Sequence, residues 1–434
     1  MVYGCVLAAG SAQAGGMIAY ELGTADVGLA SAGYNVRAQD ASTVFTNPAG
    51  MTRLDGTQFL GSAQLLYGST KFSIGSGTSA ALGGGDGGRV VGDDGWFPGG
   101  GVFISHSLSP KWKVGFALAG NVGAPLEYDD DWAGRYYVQK TTLLGVSFLP
   151  SIAYKASDKL SLGASLNAMY GIYENKVAIN IPDALRPGVV VPIQRAQGDA
   201  QLKIEDEEWG WGVNLGLLYE LDDRTRLGLT YNSQVDLDFK GRAKFKNLGA
   251  LGMALQNAGL LNSDIKVGIN VPQQLMGSVY HQLDARWALL ASVGWQDWSK
   301  FGQVQLGIDN TTNPRSLKTD LDFKDTWHLA LGAQYRLSQP WLLNFGIAYD
   351  SKFQKGDVSP VLPVNDAWRF GVGAQNQMSK TMHWGFAAEY LYGGTLDTDI
   401  QGAAPVALGG RGSLVGSYKN TSTFFVSVYG NWQF

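Results

Sequence analysis

The chain contains 434 residues, of which 59 are glycine and 12% are aromatic, whereas only 16% are charged and the formal net charge is −4. This composition, with no basic cluster, excludes a disordered chain and a nucleic-acid-binding protein. The single cysteine excludes a disulfide framework and a cysteine-rich zinc site, and no run of about 18 apolar residues predicts a membrane-spanning helix. One large closed β structure fits better than several soluble domains.

Residues 1–14 have the features of the end of a signal peptide. They are apolar, and Ala12-Gln13-Ala14 fits the small-residue rule for signal peptidase cleavage. We therefore expect the mature chain to begin near Gly15, with Cys5 in the removed part, as in a bacterial envelope protein. An ordinary buried N-terminal segment and a lipoprotein anchor at Cys5 are the alternatives.

From about Thr57 onward, apolar and polar residues alternate. The runs at 159–173, 227–239 and 341–351 put apolar side chains on one face and polar ones on the other. Runs of ten or more residues match the length that a tilted strand needs to cross a bilayer. The apolar face is then expected to meet lipid, including the side chains of Leu227, Leu229, Tyr231, Val235, Leu237 and Phe239.

Short polar turns alternate with long, glycine-rich loops. The turns lie near residues 110, 158, 223, 285, 339 and 380, and the loops near 69–95, 125–139, 176–202, 241–268, 308–322, 354–365 and 395–416. These connections join fourteen strands. An even strand number with short turns at one end is typical of outer-membrane barrels and places both chain ends in the periplasm.

Aromatic residues support a location in the outer membrane of a Gram-negative cell. Four tryptophans follow short turns closely and predict an interfacial girdle: Trp112, Trp287, Trp341 and Trp384. The C-terminal strand alternates through Phe424, Val426, Val428, Trp432 and Phe434. A soluble β-sandwich or propeller is the alternative.

Residues 15–56 precede the first strand and show no alternation. A fourteen-stranded barrel is too wide for its own wall side chains to fill. We therefore expect an all-β fold, a 14-stranded antiparallel transmembrane β-barrel over residues 57–434 with an N-terminal hatch, or plug, of residues 15–56 in its lumen. A disordered periplasmic tail is the alternative, and the apolar content of the segment argues against it.

The segment 40–51, DASTVFTNPAGM, closely resembles the plug signature of the long-chain fatty acid transporter (FadL) family. The similarity continues through 209–221, through 229–233 with 238–241, through Phe323-Lys324-Asp325 and into the terminal strand. This resemblance implies a fourteen-stranded barrel, a hatch and the uptake of hydrophobic compounds. Long-chain fatty acids are the first candidate ligand.

The hatch is expected to end at Asn47, Pro48 and Ala49. Pro48 fixes a turn and Asn47 can bond the local backbone. The resemblance implies that this motif lies beside a kinked wall strand, whereas a simple turn between loop and strand is the alternative.

A lateral opening is expected where Gly120, Asn121, Gly123 and Pro125 interrupt the third strand. Glycine weakens a strand and proline lacks a ladder donor. The resemblance implies that ligand leaves sideways here into the membrane. The alternative is that the strand simply meets a loop.

Two apolar loops, 248–261 with Leu251 and Leu255, and 179–193, suggest a capture site for a greasy ligand. The first has the pattern of a short helix, and mutual packing of the loops is the alternative interpretation.

Lys324 has the parity of Thr326 and His328, so both Lys324 and His328 are expected to point inward and to bind ligand. Lys324 matches the family's Phe-Lys-Asp position and could pair with a ligand carboxylate; an ordinary lumen ion pair is the alternative. Near Ile172-Tyr173-Glu174, however, no arginine stands where well-known fatty-acid binders of the family place one. Neutral hydrocarbons therefore stay open as ligands.

No catalytic, cofactor or metal site is expected. The four histidines are scattered without metal-ligand spacing, and the Gly83-x-Gly85-x-x-Gly88 match to a dinucleotide fingerprint lies in a glycine run without a following helix. The expected partners are a hydrophobic small molecule, outer-membrane lipid and lipopolysaccharide, around a monomer. A general porin, an adhesin or structural barrel, and a barrel-embedded hydrolase are the competing functions.

Overall fold

The computed structural model describes residues 18–87, 95–185, 198–257, 261, 264–301, 303–309, 315–320 and 323–434. The predicted signal peptide, the predicted mature start at Gly15 and most of the apolar loop 179–193 lie outside these residues.

Fourteen strands form a closed antiparallel barrel in which each pairs with the next and the last pairs with the first. This confirms the predicted strand number and direction. The wall strands are β1 Thr57–Ser69, β3 Trp96–Ser107, β4 Trp112–Glu127, β5 Lys140–Lys155, β6 Leu160–Ile179, β7 Ala200–Glu220, β8 Thr225–Asn232, β12 Gln274–Gln282, β13 Trp287–Gln296, β16 Thr326–Arg336, β17 Trp341–Asp350, β18 Ala367–Ser379, β19 Met382–Ile400 and β20 Leu414–Gln433.

Six further strands come from the long loops. The short strands β2 (Phe72–Ile74) and β10 (Lys244–Lys246) pair with β20 and β7. A separate four-stranded antiparallel sheet has the order β15-β14-β11-β9. Its members are β9 Val235–Arg242, β11 Asp264–Val271, β14 Gln303–Asp309 and β15 Arg315–Asp320.

The run 227–239 is therefore not one wall strand. The chain leaves the wall after Asn232, and the expected lipid-facing position of Val235, Leu237 and Phe239 is wrong because all three are buried. They pack against inward-facing glycines of the wall: an ideal Cβ on Gly210 would lie 2.4 Å from Val235 Cγ1. The glycines leave the room that β9 occupies.

Elsewhere the wall confirms the predicted alternation. Outward Leu229, Leu329 and Phe345 are exposed, whereas inward Ser278 and Asn344 are buried. Bilayer hydrocarbon, not water, meets the exposed apolar face. The girdle tryptophans contact other aromatic rings at the turn end. Trp112–Tyr154 and Trp287–Tyr335 are cross-strand register partners with ring centroids 4.5 Å apart, and Trp341 meets Trp384 edge to face across β18 at 5.9 Å.

Helices are few and short. α1 (Ala25–Gly28), α2 (Thr43–Thr46) and a 3-10 turn (Pro48–Arg53) precede the barrel, and α3 (Ala250–Asn257) confirms the short helix predicted at 248–261. Further 3-10 turns cover Ala80–Leu82, Asp183–Leu185 and Val406–Leu408. No helix within the described ranges is long and apolar enough to cross a membrane.

Candidate functional site

Residues 18–56, here called the N-terminal segment, contact inward-facing residues on opposite sides of the barrel. On β1, Ser62 Oγ donates to Leu22 O at 2.6 Å, and on β13 the Ser292 Oγ accepts from Gly33 N at 2.8 Å. On β8, Arg226 donates through Nε to a carbonyl of the segment, and on β20 the Asn431 side chain accepts from a backbone amide. Nearly every residue from 18 to 54 is buried.

Wall glycines let the segment's backbone approach closely. An ideal Cβ on Gly346 of β17 would lie 1.9 Å from Leu29 O, and one on Gly371 of β18 would lie 2.5 Å from Val27 O. Both distances are shorter than any real Cβ contact. The inner surface of β17 and β18 is therefore shaped to receive α1 and the residues that follow it.

Buried ion pairs within the N-terminal segment stabilise its conformation. Arg37 pairs with Asp40 at 2.6 Å and with Asp26 at 3.4 Å, all three being buried. Burial alone would raise the pKa of Asp40, but the Arg37 guanidinium outweighs it and lowers that pKa to about 2. At Asp26 burial prevails and the pKa is raised. The ion pairs tie residues 26–42 into one compact loop.

The Asn47-Pro48-Ala49 motif is docked by its asparagine. Asn47 Nδ2 donates to Asn35 O at 2.7 Å and to Leu217 O of β7 at 3.1 Å, while Oδ1 accepts from Ala49 N at 3.0 Å. The side chain thus caps the following 3-10 turn and also joins the segment to the wall.

The wall surface under this motif consists of two paired glycines. Gly163 of β6 and Gly216 of β7 are cross-strand partners. An ideal Cβ would lie 2.3 Å from Ala49 N on the first and 2.1 Å from Asn47 Oδ1 on the second. The motif therefore lies against β6 and β7, whereas the irregular part of β4 is contacted by a different stretch of the segment.

Replacing Asn47 by alanine should loosen the segment strongly. Three hydrogen bonds are lost, and the buried Asn35 carbonyl and the part-buried Leu217 carbonyl each lose a donor. We expect a loss of roughly 2–4 kcal/mol in the stability of the docked segment. Hydrogen exchange of residues 20–54 measures the effect. Thr52→Ala, which removes part-buried bonds to Ala49 O and Ser161 Oγ, is the matched control and should cost under about 1 kcal/mol. Equal protection in the Asn47 variant and wild type would contradict the docking role.

β4 is irregular at the predicted place. Its pairing with β3 runs from Ser107↔Lys113 to Gly101↔Ala119, and beyond that point β5 is the one wall strand that pairs with β4 among the described residues. A register shift between Gly120 and Val122 leaves Asn121 as the extra residue of a bulge.

The structure explains why two of the residues predicted at the lateral opening, Gly123 and Pro125, occupy their positions in β4. Gly123 has φ +132° and an ideal Cβ only 1.9 Å from Leu143 O, so no other residue fits. Pro125 is the register partner of Thr142 on β5, and β5 is the side on which the ladder of β4 continues.

The facing edge of β3 was missed by sequence reasoning. Residues 96–100 include Pro98-Gly99-Gly100 and pair only with β1 within the described chain. Proline has no ladder donor, and Gly100 has φ +141°. The Pro-Gly-Gly run itself was the available signal for this second side of the gap.

The start of the N-terminal segment contacts β4 at the bulge. Ala19 N donates to Asn121 O at 2.8 Å, and Ile18 forms an isolated antiparallel bridge with Val122. The segment thus supplies a partner at the point where the wall lacks one.

A large apolar cluster occupies the lumen beside this point. It includes Ile18 and Val122 and joins β9 and β11 to aromatic residues that contact one another. Ring centroids are 5.0 Å apart in the edge-to-face pair Trp298–Phe301 and 4.8 Å apart in the tilted pair Phe323–Phe353. The apolar side chains of β9 and β11 therefore enlarge an interior that is apolar at this point.

A charged cluster borders the apolar one. Arg369 of β18 pairs with Asp350 at 2.5 Å, with Glu389 at 3.1 Å and with Glu21 of the N-terminal segment. His328 Nδ1 bonds Asp350 at 2.7 Å, which confirms its predicted inward orientation. Sequence reasoning missed Arg369, because a lone arginine in an alternating strand carries no special signal.

Lys324 does not join this cluster. It is exposed, and its backbone amide donates to Phe353 O at 2.8 Å. Strand β16 begins at Thr326, so the parity that predicted an inward Lys324 does not extend back to it, and its neighbour Phe323 is buried instead. Of the capture-loop residues, Leu251 and Leu255 belong to α3, and their side chains lie outside the described part.

No group of three or more potential metal ligands occurs in the described ranges. The described lumen combines apolar side chains with buried guanidinium groups, including those of Arg37, Arg226 and Arg369, and with buried carboxylates.

Comparisons with known proteins agree with this architecture. A family model described as outer membrane protein transport protein (OMPP1/FadL/TodX) matches residues 5–424. The chain is 26% identical over 415 residues to the long-chain fatty acid transport protein of Escherichia coli O6:H1, covering 90% of each chain. It is 26% identical to outer membrane protein P1 of Haemophilus influenzae, covering 89% of this chain and 88% of that one.

Solved structures show the same fold. A Pseudomonas aeruginosa FadL homologue aligns with a TM-score of 0.81 at 22% identity, over 95% of this chain and 98% of that one. The Pseudomonas putida toluene transporter TodX aligns with a TM-score of 0.69 at 17% identity, over 97% and 99% of the two chains.

Proposed function

Since the chain belongs to the OMPP1/FadL/TodX family of outer-membrane transport channels for hydrophobic compounds, we propose that it takes up long-chain fatty acids passively, with the N-terminal segment as a hatch and release through the gap beside β4. The hatch corresponds to residues 15–56 and the transport barrel to 57–434. In this proposal the protein acts as a monomer surrounded by outer-membrane lipid and lipopolysaccharide.

One observation carries the proposal. Ile18 belongs to the lumen's apolar cluster and also forms the bridge with Val122 at the β4 bulge, where the next residue, Ala19, donates a hydrogen bond to Asn121. A ligand that fills the apolar cluster must therefore move the residues that cover the gap. Such displacement occurs only if bound ligand favours the shifted segment.

The lateral route follows from the ligand's own solvation. Burying a methylene group is favourable by about 0.8 kcal/mol, so release of a long chain into the aqueous periplasm would be costly. A path through the gap between residues 96–100 and 120–127 delivers the chain directly to bilayer hydrocarbon. The gradient of the ligand and its preference for the membrane then supply the driving force.

Neutral aromatic hydrocarbons are the second candidate substrates. The rings of Trp298, Phe301, Phe323 and Phe353 belong to one apolar cluster, in which Phe301 and Phe323 stack with centroids 6.0 Å apart. These aromatic surfaces favour a flat apolar ligand, and a structural neighbour is a toluene transporter. A fatty acid can form an ion pair through its carboxylate, whereas toluene carries no charge. An ion pair to the ligand therefore distinguishes the two classes of substrate.

Lys324 is proposed as a weak first contact for the ligand carboxylate. Because it is exposed, its charge is screened, and exposed ion pairs contribute about 0–1 kcal/mol. Lys324→Ala should lower oleate affinity by at most about fivefold, and the difference should disappear at about 1 M salt, where the Debye length is about 3 Å. Titration of oleate at low and high salt tests this; a loss that persists at high salt contradicts a screened contact.

The function is tested by reconstitution. Proteoliposomes containing the chain should accelerate transfer of labelled oleate while swelling no faster than empty liposomes in small sugars. Sugar-driven swelling without oleate transfer would indicate a general porin, and neither activity would leave an adhesin or structural barrel.

A further inference from the structure

Arg369 is a buried guanidinium with an incomplete set of partners. Its Nε donates to Asp350 and its Nη1 to Glu389 and Glu21, but Nη2 has no hydrogen-bond partner among the described residues. The side chain is 0% exposed. A buried donor left without a partner is costly, so the cluster holds a donor that is available for a further acceptor.

Glu21 is the replaceable partner of Arg369. Asp350 and Glu389 belong to wall strands, whereas Glu21 lies on the N-terminal segment, close to Ile18. Glu21 contacts only Nη1, and its Oε2 also lacks a partner in the described structure. A carboxylate placed across Nη1 and Nη2 would instead bind in the two-point geometry that arginine favours.

The arginine lies at the border of the apolar cluster. Tyr20 packs on it, with the guanidinium carbon 5.9 Å from the ring centroid, and the Tyr20 hydroxyl accepts from Gln296 at 2.6 Å. Gln296 in turn accepts from Trp298 Nε1 at 2.6 Å, and Trp298 is a member of the cluster. A greasy interior with a buried cation at its edge matches an amphipathic anion.

We propose that Arg369 binds the carboxylate of a long-chain fatty acid, which takes the place of Glu21. This rests on the proposed function and names the residue that reads the ligand's head group. Exchange is favoured over the addition of a fourth carboxylate. Arg369 already faces three carboxylates, and a fourth would add an unpaired buried charge. Replacing Glu21 leaves the charge of the cluster unchanged.

The same exchange connects head-group recognition to the hatch. Once Glu21 leaves Arg369, the end of the N-terminal segment that contains Ile18 and Ala19 loses one of the contacts that hold it to the wall. A neutral hydrocarbon cannot make this exchange. In this proposal the ligand carboxylate is bound by Arg369, whereas the sequence suggested Lys324.

The test compares oleate with methyl oleate, which keeps the tail and lacks the charge. Binding of both is measured to the full-length protein in detergent at about pH 8, where the head group of oleate is ionised. Wild type should prefer oleate by about tenfold or more. At about 1 M salt, where the contact to Lys324 is screened, Arg369→Gln should bring the ratio to about one. Glu21→Gln should raise the ratio by about fivefold, because an amide is a weaker competitor for the guanidinium.

Glu389→Gln is the matched control, since it also removes one carboxylate from Arg369 but lies on the wall. If Glu21→Gln and Glu389→Gln raise the ratio equally, the effect is one of charge alone and the exchange is overturned. Folding of the Arg369→Gln variant is checked by its heat-modifiable migration in gel electrophoresis. If the folded variant keeps the wild-type ratio of oleate to methyl oleate binding, the inference is also overturned. Wild type that binds both ligands equally defeats this inference alone, whereas wild type that binds neither defeats the proposed function as well.

Discussion

Oxidation of a protein carrying Ile18→Cys and Val122→Cys should abolish uptake of long-chain fatty acid, and reduction should restore it. The two residues are antiparallel bridge partners, and such partners have Cα atoms about 4.5–5.5 Å apart, within the range that a disulfide spans. The bond would hold the start of the N-terminal segment on the β4 bulge. If this segment must leave the gap before ligand does, oleate transfer should fall by at least about tenfold, as expected when a required state differs by more than about 1.4 kcal/mol.

The experiment uses a Cys5→Ser background and a second cysteine pair as its control. Val279 and Ala291 are register partners on β12 and β13, outside the N-terminal segment's contacts. Their disulfide ties two wall strands together and should leave transfer near the wild-type rate. Uptake that persists in the fully oxidised Ile18/Val122 protein would rule out the lateral route and favour an axial path past the Asn47-Pro48-Ala49 motif.

Gly163→Val should open the barrel to small polar solutes. Any Cβ at this position would lie 2.3 Å from Ala49 N, so the side chain must push the Asn47-Pro48-Ala49 motif away from β6. Overpacking typically costs about 1–3 kcal/mol, enough to change the docked fraction of the segment by roughly tenfold or more. Liposomes containing the variant should swell in small sugars severalfold faster than those with wild type.

Gly277→Val is the control for this substitution. It places the same side chain on another wall strand, β12, where an ideal Cβ has nothing within 4 Å. Its swelling rate should equal that of wild type. A leak of equal size in both variants would indicate that valine damages the wall, not the docking of the motif.

The wall of this protein could be predicted from sequence because its cause is local. In each strand, bilayer on one side and lumen on the other impose a period of two, as at Leu329 and Ala330, and the short polar turns mark every return. The break in β4 was also predictable, since Gly120, Gly123 and Pro125 are chemically unsuited to a regular ladder. These features depend on a few neighbouring residues.

The features that could not be predicted depend on distant residues. The alternation of Leu237 and Phe239 is compatible with contact to lipid and with contact to the lumen surface. These side chains lie in the lumen because glycines of β6 and β7, including Gly171, leave space for them there. Lys324 was assigned to the lumen by parity, which holds only while the chain stays in the strand. Arg369 became a candidate only through Glu21, which lies 348 positions away.

The position of the N-terminal segment has a consequence for the order of assembly. Its partners include Ser62 of β1 near one end of the wall sequence, Ser292 in the middle and Asn431 of β20 at the other end. These residues surround a common space only after β20 has paired with β1. The segment is therefore synthesised before the wall strands but acquires its full set of contacts only after the last of them has paired. A barrel whose seam has not yet closed has no complete binding surface for this segment, so full docking of the segment requires closure of the wall.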